Sequence, residues 1–149
     1  MKILQKKEIL QILKERKWGT LMGVDGKKPY GVEVAYTLLG KYLYVIFNPA
    51  GRMARCFKKN KNAAFKICTA DSDITSWEAV LVEGTMERVV DPASIKQAFR
   101  ALSQKLGYDK NLYDKMAEKY AANPKQSPVH RILINIVGGK GSSSDWLFA

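Results

Sequence analysis

Between residues 5 and 17 the apolar positions Ile9, Leu10, Ile12 and Leu13 fall on one side of a helical projection. Lys, Glu, Gln and Arg take the other side, which predicts a short amphipathic helix covering apolar surface. Gly19 is expected to end it, with Trp18 as a hinge in the core. Residues 20–25 read as a strand, and Asp25-Gly26 as a tight turn. A strand over residues 30–38 follows, then a turn at Gly40 and a strand over 42–47 rich in aromatic and β-branched residues. Asn48-Pro49 predicts a helix start, because Asn caps well and Pro has no N–H to leave unpaired in the first turn. That helix runs to about Asn60 with Met53, Cys56 and Phe57 facing inward.

A fourth strand is expected over residues 63–68, and after a polar stretch a long fifth strand over 77–90. Gly84 inside it marks a bulge or bend, which a small closed barrel needs at its corners. Asp91-Pro92 repeats the capping logic and opens a helix carrying Ile95, Ala98, Phe99 and Leu102. Gly107 ends it, and a second helix carries Leu112, Tyr113, Met116 and Tyr120 up to Asn123-Pro124. The last strand, over residues 129–137, sets Ile132, Ile134 and Ile136 against Arg131, Leu133 and Asn135. Residues 138–149 read as a flexible Gly/Ser tail ending in the aromatic anchor Trp146 and Phe148.

Six hairpin-linked strands with helices between the third and fourth and between the fifth and sixth favour a closed antiparallel barrel over a doubly wound sheet. The expected class is mainly β with peripheral helices, in one domain spanning residues 1–149. Composition agrees: a hydrophobic share of 46% with 26% charged residues describes a globular chain able to bury a core. No apolar run is long enough to span a membrane, and the first residues lack the apolar region of a secretory signal, so a cytoplasmic protein is expected.

Charge changes the picture most. A net +11 suggests an anionic partner. The lysines are scattered in pairs (Lys6-Lys7, Lys27-Lys28, Lys58-Lys59), with no Arg-rich arm or aromatic-basic stripe, so a small anionic ligand is preferred to nucleic acid. Cys56, Cys68 and His130 do not make a metal set, since structural zinc requires four ligands. Both cysteines are expected in the core, and His130 is read as structural or exposed and not catalytic. No catalytic acid or base stands out.

The candidate chemistry begins at Asn48-Pro49-Ala50-Gly51-Arg52-Met53, where a strand enters a helix. A helix start offers unpaired N–H groups and a positive dipole end, Gly51 permits close approach, and Arg52 supplies a planar fork matched to phosphate oxygens. Arg55 lies one turn on. The alternative is that both arginines are ordinary solvated helix residues. Trp77 either stacks on a ring ligand or caps the barrel end. Tyr36, Tyr42 and Tyr44 are candidate proton donors or ordinary strand residues.

Several short motifs now fall in a familiar order. They run Leu21, Val24-Asp25-Gly26, Pro29-Tyr30 and Val34-Ala35-Tyr36; then Leu43-Tyr44-Val45, Gly51-Arg52, Lys59-Asn60 and Ala64-Phe65; and last Ala79-Val80-Leu81-Val82-Glu83-Gly84. Together they resemble the pyridoxamine 5′-phosphate oxidase-like family, on its nitroimidazole-resistance branch, over residues 6–140. The resemblance implies a Greek-key split barrel that dimerises and holds FMN between subunits. It matches Arg52, beside Gly51, to the arginine that grips the FMN phosphate. It matches Glu33, Val34, Ala35 and Tyr36 to the segment lining the isoalloxazine ring, and puts Asn48 near the phosphate and ribityl chain. Gly139-Lys140 is similar to the end of that branch's last strand, and beyond it Trp146 either reaches over the flavin of a partner subunit or staples the terminus. The chain departs from the pattern in three places. Met53 stands where a second cation is frequent, Ala79 where Ser or Gln is, and Glu33 where proline is. No residues match the pyridoxamine phosphate substrate site.

The resemblance therefore implies an FMN-dependent oxidoreductase with a small-molecule substrate or a nicotinamide donor. The alternatives are a non-catalytic flavin- or haem-binding protein of the same fold, and a basic nucleic-acid-binding barrel.

Overall fold

The structure, a computed structural model, describes residues 1–143; Trp146 and Phe148 lie outside the described residues. The order is β1 (Lys2–Ile3), α1 (Lys6–Glu15), β2 (Trp18–Asp25), β3 (Lys28–Leu39), β4 (Tyr42–Ile46) and α2 (Arg52–Lys59). Then come β5 (Asn62–Ala70), β6 (Trp77–Arg88), α3 (Pro92–Leu106), α4 (Lys110–Ala122) and β7 (Val129–Gly141). Among the described residues no helix is long and apolar enough to cross a membrane.

All pairings are antiparallel, in the sheet order β1-β7-β4-β3-β2-β5-β6, and β6 pairs back onto β7 to close the barrel. β2, β3 and β4 form the expected meander, and β5 returns beside β2, which is Greek-key order. The barrel is mainly β with helices outside it, as the pattern predicts. The described residues form seven strands, one more than expected. The extra strand is Lys2–Ile3, too short to carry a periodic signal, pairing with Gly141 and Lys140. Residues 138–141 are accordingly strand and not tail: their backbone is taken by β1 on one side and β6 on the other.

The interior packs Leu21, Tyr36, Leu43, Val45, Phe65, Val80, Val82 and Ile132. Ile9, Ile12 and Leu13 of α1 plug one end of the barrel, and Met53 and Phe57 of α2 plug the other. A second core lies between β4 and the helices α3 and α4, where Phe99 stacks on Tyr120 with centroids 5.8 Å apart. Tyr44 belongs to this second core, so it is strand packing and not a site donor.

The expected bulge sits at Gly84. The β6–β7 register shifts between Glu83 and Gly84, whose partners are Ile136 and Ile134, and this leaves Asn135 as the extra residue. A Cβ on Gly84 would lie 2.0 Å from the Leu133 carbonyl oxygen, so only glycine fits. The extra residue flips the alternation. Ile132 and Ile134 face the interior, while Ile136 turns outward and is 61% exposed, contrary to the single face expected for the three isoleucines.

Three other expectations fail for identifiable reasons. Gly19 does not break the chain; it sits inside β2, where a Cβ would meet the Lys66 carbonyl oxygen at 2.6 Å. Trp18 alternates with the buried Gly19 and so points outward, 61% exposed. Cys68 likewise faces out from β5, whereas Cys56 is buried in α2.

Candidate functional site

Asn48-Pro49 turns the chain but does not start the helix. The Asn48 side chain accepts from the Ala50 N–H at 2.9 Å, and its carbonyl accepts from the Gly51 N–H at 3.0 Å. This local turn uses up the capping oxygen, so α2 begins at Arg52 with Gly51 at its cap and no side-chain cap. At Asp91 the carboxylate accepts from the Ser94 N–H three residues on, and there the helix starts as predicted. The first N–H groups of α2 are thus left facing the loop of residues 48–51 with a positive dipole end.

Two cations attend that end. Arg55 reaches back, its Nη1 donating to the Ala50 carbonyl at 3.4 Å. Arg52 crosses to the β2–β3 hairpin: its Nε donates to Asp25 Oδ2 at 2.8 Å, and its guanidinium lies 4.0 Å from the Tyr30 ring centroid. Both members of the ion pair are close to half exposed, so the outer edge of the fork faces solvent. Met53 is not part of this group. Successive helix residues point about 100° apart, and Met53 is 4% exposed, packed at the barrel end near Gly23. Neither a thioether nor a lysine there could share an anion with Arg52.

The segment matched to the flavin ring divides by strand alternation. Val34 and Tyr36 face the interior, and Glu33 and Ala35 face outward beside Thr20 and Trp18. The Glu33 carboxylate accepts from the Thr20 hydroxyl at 2.7 Å. Tyr36 donates its hydroxyl to the Leu13 carbonyl at 2.7 Å, and burial pushes the phenol well above its ordinary pKa. It is a tie to α1 and has no proton to offer a ligand. Lys105 of α3 also donates to that carbonyl, at 3.0 Å, and lies over the Tyr36 ring at 3.6 Å.

Trp77 opens β6 half-buried, clamped by Ser142: the Trp77 N–H donates to Ser142 Oγ at 3.1 Å, and its carbonyl accepts from the Ser142 N–H at 2.9 Å. Lys140 is exposed and in register with Ala79. Trp18 pairs with Ala35, Thr20 with Glu33 and Lys66, and Ala79 with Cys68 and Lys140, so these residues share the outer face of the sheet.

Two groups emerge from the candidate residues. Asn48, Gly51 and Arg52 gather at the Asp25 end of the hairpin; Glu33, Ala35 and Lys140 share the outer face toward the Trp18 end. Thr20 and Asp25, five strand steps apart, lie roughly 16 Å from each other along β2. The sequence reading missed Asp25 as a partner, Tyr30 as a platform, and Trp18 as a surface residue. Asp25 and Tyr30 carried only turn and strand signals, and pairing across the hairpin gives them their roles.

His130 is structural, as the sequence suggests. It is buried and stacked on Phe47 with centroids 3.7 Å apart. Its Nδ1 lies 2.9 Å from the Pro128 carbonyl, which can only accept, so that nitrogen carries the proton. Burial, helped by the nearby Arg88 charge and opposed by the carbonyl, lowers its pKa to about 4.

The family model described as pyridoxamine 5′-phosphate oxidase matches residues 5–140. No curated protein matches the chain. Among solved structures, an FAD-binding protein from Mesorhizobium loti superposes with a TM-score of 0.71 at 22% identity, covering 95% of this chain and 98% of that one. A candidate 5-nitroimidazole antibiotic resistance protein from Bacteroides thetaiotaomicron gives a TM-score of 0.74 at 16% identity, covering 94% and 86%. A haem-binding protein from Mycobacterium smegmatis gives 0.70 at 21% identity, covering 92% of this chain and 54% of its own. At these identities the structural likeness establishes the fold.

Proposed function

The chain belongs to the pyridoxamine 5′-phosphate oxidase family, and we propose that it is a flavoprotein that holds FMN and acts as an oxidoreductase. The observation that carries the reading is Arg52 at the start of α2, its fork open to solvent beside unpaired helix N–H groups. Arg52, with Arg55 one turn on, would take the phosphate, and Gly51 lets the backbone approach it. The ribityl chain would run along the β2–β3 hairpin, and the ring would lie toward Glu33 and Ala35. A bound flavin supplies hydride transfer; the protein supplies binding, orientation and a positive field.

A homodimer fits the outer face. Ile136 is 61% exposed and Leu81 37%, and apolar exposure of this kind marks an interaction surface. The two free thiols suit a reducing cytoplasm. A second reading, binding without turnover, is favoured by Ala79 and by Tyr36, since neither offers a polar side-chain atom to a ligand ring. FAD and haem are the other candidate cofactors, on the strength of the named neighbours.

Titration of the purified chain with FMN, FAD and haemin, followed by visible spectra, tests the reading. FMN is expected to bind at least about tenfold tighter than the other two. Equal or tighter binding of FAD or haemin would reassign the cofactor. Reduction of the bound flavin by NADH or NADPH, and reoxidation by an added acceptor, separates an enzyme from a carrier.

A further inference from the structure

A cavity of 650 Å³ opens on the outer face where α1 ends and β2 meets β5. That volume is typical of small-molecule sites, which run from about 300 to 1,000 Å³. The phosphate end of the proposed flavin site does not contribute to it: Arg52, Asn48 and Gly51 are not among its lining residues.

Its chemistry is one-sided. Arg16, Lys17 and Lys66 supply three cations, and Glu33 is the lone carboxylate of the lining. That carboxylate is engaged by the Thr20 hydroxyl at 2.7 Å. Arg16 makes one side-chain bond, Nη2 to Thr69 Oγ1 at 3.3 Å, and its buried Nε has no partner among the described residues. A guanidinium carried partly out of water with no carboxylate against it favours an incoming anion. Beside it stands the Trp18 indole, 61% exposed on a strand whose other outward residues are half-buried. An exposed indole next to uncompensated cations suits a flat ring bearing a negative group.

We infer that this cavity is a binding site for a planar aromatic anion, such as an aromatic carboxylate, with the ring against Trp18 and the anionic group toward Arg16 and Lys66. The site rests on the cavity alone. Its role as the seat of the reactant beside the flavin ring, next to Glu33 and Ala35, rests on the flavin reading.

The probe is 2-naphthoate, with 2-naphthamide as its uncharged counterpart, titrated calorimetrically into the full chain with and without FMN. Naphthoate is expected to bind at least tenfold tighter than the amide. Without FMN, Arg16→Gln and Trp18→Ala should each weaken naphthoate tenfold or more. If Arg16→Gln does not fold, Trp18→Ala, at an exposed position, carries the test. Equal affinity for acid and amide, no binding to the wild type at millimolar naphthoate, or undiminished binding to Trp18→Ala would overturn the assignment. So would mutual exclusion of FMN and naphthoate, because the cavity would then be the flavin ring's own seat. Naphthoate binding in a chain that takes no FMN would uphold the cavity site and refute the flavin reading separately.

Discussion

Arg52 is held to Asp25 across the end of the β2–β3 hairpin, Nε to Oδ2 at 2.8 Å, with its guanidinium 4.0 Å from the Tyr30 ring centroid. The carboxylate orients the fork, yet it also competes with a phosphate for the same charge. Exposed ion pairs of this kind contribute about 0–1 kcal/mol to stability. Asp25→Asn is therefore expected to leave the melting temperature nearly unchanged and to tighten FMN by a factor of about five, the equivalent of ~1 kcal/mol. Fluorescence quenching of FMN on binding measures this directly. A weaker affinity would mean that orientation by Asp25 outweighs its competition.

Met53 stands where a second phosphate cation is frequent in the family that the sequence resembles, but its side chain fills the barrel end. A lysine there would put an ammonium among apolar side chains. Met53→Lys is expected to lower stability by about 3 kcal/mol or more, with a fall in melting temperature of roughly 10 °C and no gain in FMN affinity. Thermal denaturation with a parallel FMN titration checks both parts.

Gly84 fixes the β6–β7 register. Adding one methyl group places it 2.0 Å from the Leu133 carbonyl oxygen, with Ile132 behind it. Backbone cannot yield as a side chain would, so Gly84→Ala should cost about 3 kcal/mol or more. Urea denaturation of the variant is the measurement; a cost below about 1 kcal/mol would show that the bulge can slide.

His130 makes the fold acid-sensitive. Its pKa is about 4 in the folded protein against 6.5 for the free side chain. The unfolded chain therefore binds the extra proton between about pH 6.5 and 4, and stability falls as pH drops through that window. The full effect is on the order of 3 kcal/mol. His130→Gln removes the titration. Its unfolding free energy should change less between pH 7 and pH 4.5 than that of the wild type, by about 2 kcal/mol, even if it is lower at both.

The meander, the bulge at Gly84 and the capped start of α3 were legible because each is written in adjacent residues. Asp25-Gly26 and Gly40 turn the chain with positive φ at both glycines, and Asp91 accepts from Ser94 as the motif requires. Asn48-Pro49 carries the same motif as Asp91-Pro92, and it misled because the Asn side chain found a closer N–H at Ala50. Trp18 misled because hydrophobic size suggests burial, while alternation against Gly19 decides its face. The role of Asp25 was invisible for a different reason: its contact with Arg52 crosses 27 residues and exists only once the hairpin meets α2. Arg52 itself was legible through the resemblance, and its partner through the fold alone.

The most direct measurement is the visible spectrum of the purified chain followed by FMN titration of the wild type and Arg52→Ala. Arg52 is exposed at a helix start, so its removal should leave the fold intact, as circular dichroism would verify. The wild type is expected to show bound oxidised flavin, and the variant to lose FMN affinity by about 30-fold or more, matching one lost charge-assisted phosphate contact of ~2 kcal/mol. A wild type that takes no FMN, or an Arg52→Ala variant that binds it equally well, would contradict the assignment of the phosphate to the start of α2.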